Sequence, residues 1–197
     1  MSVSALSRYA RSAIANVPCE HWAVIGVLSL VLTVFLLCRK KCPAYGAICV
    51  GLSAFLGLFL LDAAVVARII RLGGIVNHEM GVSLVDEYHR LTHGGRARQM
   101  EMLANFTVFI PFGLFISEFH ASAKRFSAGR RLGLATLAGF SLSLCIECLQ
   151  LLLHVGFFEL TDLVMNTVGA FVGALISVGV RKVVAGRKSR VIGEGHV

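Results

Sequence analysis

Charge is scarce in this chain: Asp, Glu, Lys and Arg together make up 15% of 197 residues, against about 25% in ordinary soluble domains. With 56% hydrophobic residues and a mean hydropathy of +0.78, that scarcity excludes a soluble domain. It predicts an all-α, polytopic transmembrane helical bundle. Acid is scarcer still, with 11 acidic against 19 basic residues and a net charge of +8. The Lys and Arg cluster beside the apolar runs, where they set topology and attract anionic lipid headgroups, so membrane lipids rather than nucleic acid are the expected partner. No serine-histidine pair, phosphate loop or metal motif is present to specify a reaction. No catalytic residue, cofactor or metal is therefore assigned. The six cysteines form no secreted-domain framework. Cys145 and Cys148 read as small, soft residues of a membrane helix, and Cys38 with Cys42 around Arg39, Lys40 and Lys41 offers a site for palmitoylation. The first apolar run lacks a small-residue cleavage site and ends in CRKKC, which favours a stop-transfer anchor over a signal peptide.

Five apolar runs are present: Trp22 to Leu37, Ala44 to Leu61, Leu103 to Phe119, Leu132 to Leu153 and Leu160 to Val180. Each approaches the length of about 20 residues that crosses a bilayer. They divide the chain into an N-terminal segment (1–21), two spans with a polar loop (22–102), a three-helix core (103–180) and a basic tail (181–197). Past Leu61 the second run continues through Asp62, Arg68 and Arg71 as an interfacial helix that Gly73 and Gly74 end. In the polar loop, His89 and His93 stand four apart beside Asp86 and Glu87, but an incomplete ligand set favours a solvated loop over a metal site. Pro111, with Gly113, predicts a kink in the third span. Gly169 and Gly173 form a small-xxx-small face for another helix, in this chain or in a homodimer.

The loops of five spans alternate sides. Residues 39–41, 124–131 and the tail carry twelve Lys or Arg, and the other side carries seven. The positive-inside rule then puts the N-terminus outside and the C-terminus in the cytoplasm. In that orientation Asn105, Glu147, Gln150, Asp162 and Asn166 all fall near the outer end of three spans. Glu147 and Gln150 share a helix face, as do Asp162 and Asn166. A charge in hydrocarbon costs about 2.5–3.5 kcal/mol on insertion scales, so such residues face a bundle interior or a cavity. An outward polar pocket shared by three helices is the reading these five residues predict. Interhelical hydrogen bonds alone would explain the amides, but two acids are more than structural glue requires.

Three ordered motifs, NFTVFIPFG at Asn105–Gly113, ECLQ at Glu147–Gln150 and DLVMNTVGAFVG at Asp162–Gly173, resemble those of the VanZ-like family of bacterial membrane proteins. The resemblance covers roughly the second half of the chain. It implies a multi-pass protein of the bacterial cytoplasmic (inner) membrane, linked to reduced susceptibility to teicoplanin-type glycopeptide antibiotics. The chain departs from the family pattern at one point: Gly156 stands near the position of an Arg. Without that cation Glu147, Glu159 and Asp162 are less compensated, and Arg90, Arg96 or Arg98 of the polar loop could replace it. Two functions are weighed. The leading one is non-catalytic, an outer pocket that engages a lipid-linked or lipidated envelope component. The alternatives are an enzyme acting on lipid headgroups, with Glu147 as general acid or base and Asp162 as its partner, and a small lipid or solute transporter. The absence of internal duplication counts against a repeat-built transporter.

Overall fold

The computed structural model describes residues 18–38, 43–71, 88–89, 92–122, 126–156 and 158–194, without the side chains of 68, 71, 97 and 188–194. Cys42, the basic triplet 39–41, Gly73 with Gly74, Asp86, Glu87, Arg90 and most of the polar loop lie outside the described residues. The described residues are helical and contain no strand. The helices are α1 (Cys19–Cys38), α2 (Ala44–Leu61), α3 (Ala67–Arg71), α4 (Gly95–Ser122), α5 (Ala128–Leu152) and α6 (Leu160–Glu194). Among the described residues five segments are long and apolar enough to cross a membrane: Cys19–Cys38, Ala44–Val66, Arg98–Ser122, Ala128–Leu152 and Leu160–Arg187.

Two helix ends move relative to the apolar runs. The third helix begins at Gly95 rather than Leu103, so Arg98 and Glu101 are helical residues and not loop. The fifth continues to Glu194, which carries the start of the basic tail as helix. Apolar periodicity could not mark either end, because both extensions are polar in sequence. Between α2 and α3 the chain does not break at Asp62. It widens into one π-helical turn over Asp62–Val66 and stays helical to Arg71. Asp62 is 8% exposed, with its carboxylate 2.8 Å from His21 Nδ1 on α1. That pairing offsets much of the cost of an acid at the end of an apolar run.

The core sits where α4 crosses α6. A methyl group on Gly113 would overlap the backbone of Ala170, and one on Gly173 would overlap the Ile110 carbonyl. Gly169 faces Phe106 in the same manner. Bare backbone on both helices lets them close to a distance that larger residues forbid, and dispersion then holds them, since lipid supplies no hydrophobic drive between helices. The small-residue face is thus used inside the chain, which leaves it unavailable as a homodimer seam. Pro111 sits inside α4, which runs unbroken from Gly95 to Ser122. Phe109, Phe112, Ile146 and Ala170 form the buried cluster beside this crossing. An open apolar cleft of about 460 Å³ lies between α2, α4 and α5, lined by residues such as Ala54, Gly57, Phe112 and Leu142.

Candidate functional site

The turn between α5 and α6 builds one polar site. α5 ends when His154 takes a left-handed φ of 54°, a conformation usually left to glycine. Val155 N–H then bonds Gln150 C=O at 3.0 Å and His154 N–H bonds Leu151 C=O at 3.2 Å, the paired closure of a Schellman cap. The reversal brings Glu159 back over α5, where its backbone N–H donates to Glu147 Oε2 at 2.8 Å. Glu159 C=O accepts from Asp162 N–H and Leu163 N–H at 3.1 and 3.2 Å as α6 begins. Two acids at that start are favourable, because the free N–H groups of a helix N-terminus carry partial positive charge.

Arg98 lies against this corner. Its Nη1 is 2.6 Å from Glu159 Oε2 and 2.8 Å from Glu101 Oε2, while Nη2 is 3.6 Å from Asp162 Oδ1. The last distance is an ion pair but too long for a hydrogen bond. Arg98 is 7% exposed, and among the described residues neither its Nε nor its Nη2 has a hydrogen-bond partner. The site therefore gathers Glu101, Glu159 and Asp162 around Arg98, with Glu147 joined to it through the Glu159 amide. Arg98 occupies the role that the sequence left vacant at Gly156, and it does so from α4 because that helix starts two turns before its apolar run.

Of the residues singled out in the sequence, Asn105 lies near enough to interact with the Asp162 carboxyl, and Glu147 accepts from the Glu159 amide. Asn166 lies one turn further along α6, where its Nδ2 donates to Ser143 Oγ at 2.9 Å. Gln150 points elsewhere, donating to Ala64 C=O in the π-helical turn at 3.1 Å. A widened turn loosens the backbone ladder and so presents a carbonyl that an outside donor can take. These side chains are knitted into hydrogen bonds, and none of them lines the apolar cleft. His89 and His93 stack with ring centroids 5.7 Å apart. No group of three or more His, Cys, Asp or Glu among the described residues is arranged to hold a metal.

A second buried charge centre, which the sequence reading missed, sits at the opposite end of the bundle. Glu118, 7% exposed, accepts from Arg181 Nε at 2.9 and 3.0 Å and from Arg181 Nη2. It also accepts from Tyr45 Oη at 2.7 Å and Ser177 Oγ at 2.6 Å. Ser117 Oγ reaches Ser177 Oγ at 2.9 Å, and Arg181 stands over the Tyr45 ring, 5.8 Å from its centroid. The signal available in sequence was an acid at the end of an apolar run with Arg181 at the end of another.

No curated protein and no solved structure matches the chain. Residues 96–181, which run from just before Arg98 to Arg181 and so carry both charge centres, match the VanZ/LLP1 family model. The three-helix core is therefore VanZ-like: over these residues the chain is similar to the VanZ/LLP1 family.

Proposed function

We propose that this VanZ-like membrane protein acts at the bacterial cell envelope. Its Arg98-centred cluster engages the polar part of a lipid-linked or lipidated envelope component and lowers susceptibility to teicoplanin-type glycopeptides. The observation that carries this reading is the surplus of acid: among the described residues Glu101, Glu159 and Asp162 meet one guanidinium, and Glu147 stands behind them on the Glu159 amide. Buried charge of one sign calls for a proton, a cation or a ligand that donates hydrogen bonds. Ammonium, amide and hydroxyl groups of an envelope precursor are donors of that kind. Glu101 is 43% exposed in its side chain, against 15% for Glu159 and 17% for Asp162. A ligand arriving from the end of the bundle would therefore meet Glu101 first and the others behind it. With the N-terminus outside, that end faces the cell exterior.

Glu147→Gln and Asp162→Asn, expressed to the level of wild type, are expected to restore glycopeptide susceptibility. They are also expected to change surface binding of a labelled glycopeptide. Unchanged susceptibility and binding in both variants would sink the proposal. The enzyme reading gains little support from the geometry, since Glu147 is 2% exposed and its Oε2 is occupied by the Glu159 amide. Mass spectrometry of lipids from cells with and without the gene separates the two: an altered headgroup would indicate an enzyme, and an unaltered one binding.

A further inference from the structure

Arg131 is a buried cation that the fold leaves unanswered. It opens the buried stripe of α5 that continues through Ala135, Gly139 and Ser143. It is 8% exposed, and its Nη1 has no hydrogen-bond partner among the described residues. The antiparallel register set by Ser143 with Asn166 and Gly139 with Ala170 puts it level with Val178 on α6. Its sequence neighbour Arg130 is exposed, as is Lys182, so water satisfies those two.

Among the described residues no acid pairs with Arg131. The chain has 11 acids. Glu118, at this end, is already taken by Arg181, Tyr45 and Ser177. Glu20, Asp62, Glu101, Glu147, Glu159 and Asp162 belong to the opposite end of the bundle. Glu79, Asp86 and Glu87 lie outside the described residues. Glu194 stands 13 residues past Arg181 on α6, or about 20 Å along the axis. A guanidinium cannot shed its proton, and burying it unpaired costs several kcal/mol even after relaxation. No described acid supplies the compensating anion, which leaves the site open to one from outside the chain.

Two features say which anion. Arg131 lies in the first turn of a spanning helix, so it sits where headgroups meet hydrocarbon. The N-terminus of α5 adds its own donors: the Ser127 side chain caps Arg130 N–H at 3.4 Å, leaving the N–H groups of Ala128 and Gly129 at the positive end of the helix dipole. A methyl group on Gly129 would meet nothing within 4 Å, so there is room for a ligand beside the backbone. A forked guanidinium carried in the same first turn as free helix N–H groups offers donors suited to the oxygens of a phosphate. We propose that Arg131 and the N-terminus of α5 bind the phosphate of an anionic phospholipid at the basic end of the bundle. This site is separate from the Arg98 cluster and does not depend on its function.

The full-length protein, purified in mild detergent, is offered phosphatidylglycerol, phosphatidylcholine or inorganic phosphate, and retained ligand is read by native mass spectrometry. Wild type is expected to retain phosphatidylglycerol over phosphatidylcholine. Arg131→Gln is expected to lower that retention about tenfold, the scale of one lost charged hydrogen bond, while Arg130→Gln leaves it within about twofold. Should Arg131→Gln fail to fold, Arg131→Lys decides. It keeps the charge and loses the fork, so retention should fall about threefold or more, against no change for Arg130→Lys. Equal losses at positions 130 and 131 would mean diffuse surface attraction and would overturn the site. So would unchanged retention in the position 131 variants. Inorganic phosphate that binds wild type and displaces the lipid at equal concentration would overturn the lipid assignment.

Discussion

The two ends of the α4–α6 pair treat buried charge in opposite ways. At one end a single carboxylate, Glu118, accepts hydrogen bonds from Arg181, Tyr45 and Ser177, so charge and lone pairs are both answered within the chain. At the other end Arg98 faces three acids, and its Nε and Nη2 have no hydrogen-bond partner among the described residues. A satisfied network in a low-dielectric setting rigidifies, whereas a partly satisfied one holds capacity for something else. The contrast separates residues of the same chemical type: Glu118 fastens helices, while Asp162 and Glu159 share a cation with Glu101, which is the ground for the ligand proposed there.

Glu118→Ala attacks the fastened end and should have the largest effect. It leaves Arg181 without its acid, and removing one partner of a buried pair costs about 3–5 kcal/mol. Loss of folded protein in fluorescence-detected size exclusion, with a lowered thermal midpoint for whatever remains, is the expected outcome. Tyr45→Phe removes only one hydrogen bond to the same carboxylate. It should cost about 1.5–3 kcal/mol, readable as a smaller drop in midpoint with full insertion. Asp162→Asn is expected to be the mildest for stability, within about 1 kcal/mol and of either sign, because it relieves crowded negative charge while keeping shape. It should nevertheless abolish any effect on glycopeptide susceptibility. If Asp162→Asn unfolded the protein as Glu118→Ala does, the two ends would be alike and the comparison would collapse.

Much of this was legible beforehand. The five spans follow from hydropathy alone, and Gly169 with Gly173 announced a close crossing. Asn105, Glu147 and Asp162 stand out because polar groups in apolar runs are costly. What escaped were residues whose importance depends on partners distant in sequence. Arg98 could be named only as one of three loop arginines, because α4 starts in a polar stretch and no local pattern shows that Glu159 and Asp162 await it 61 and 64 residues later. Glu118 drew no notice inside the third span and Arg181 counted only as a topology signal, although 63 residues apart they are joined by a pair of hydrogen bonds from the Arg181 Nε. Gln150 misled in the other direction, since its partner is a backbone carbonyl that only a π-helical turn sets free.

One consequence of the α4–α6 pairing concerns direction. Arg98 with Asp162 and Glu118 with Arg181 are two contacts between the same helices, separated along α4 by about 30 Å at 1.5 Å per residue, with the signs exchanged between them. Laid side by side in the same sense, cation meets acid at both ends. Turned end for end, Arg98 would face Arg181 and Glu118 would face Asp162, like against like in a medium that screens poorly. The smooth glycine seam between the helices would tolerate either arrangement. It is the charge order that makes the chain polar as an assembly, so that a span inserted upside down finds no partner.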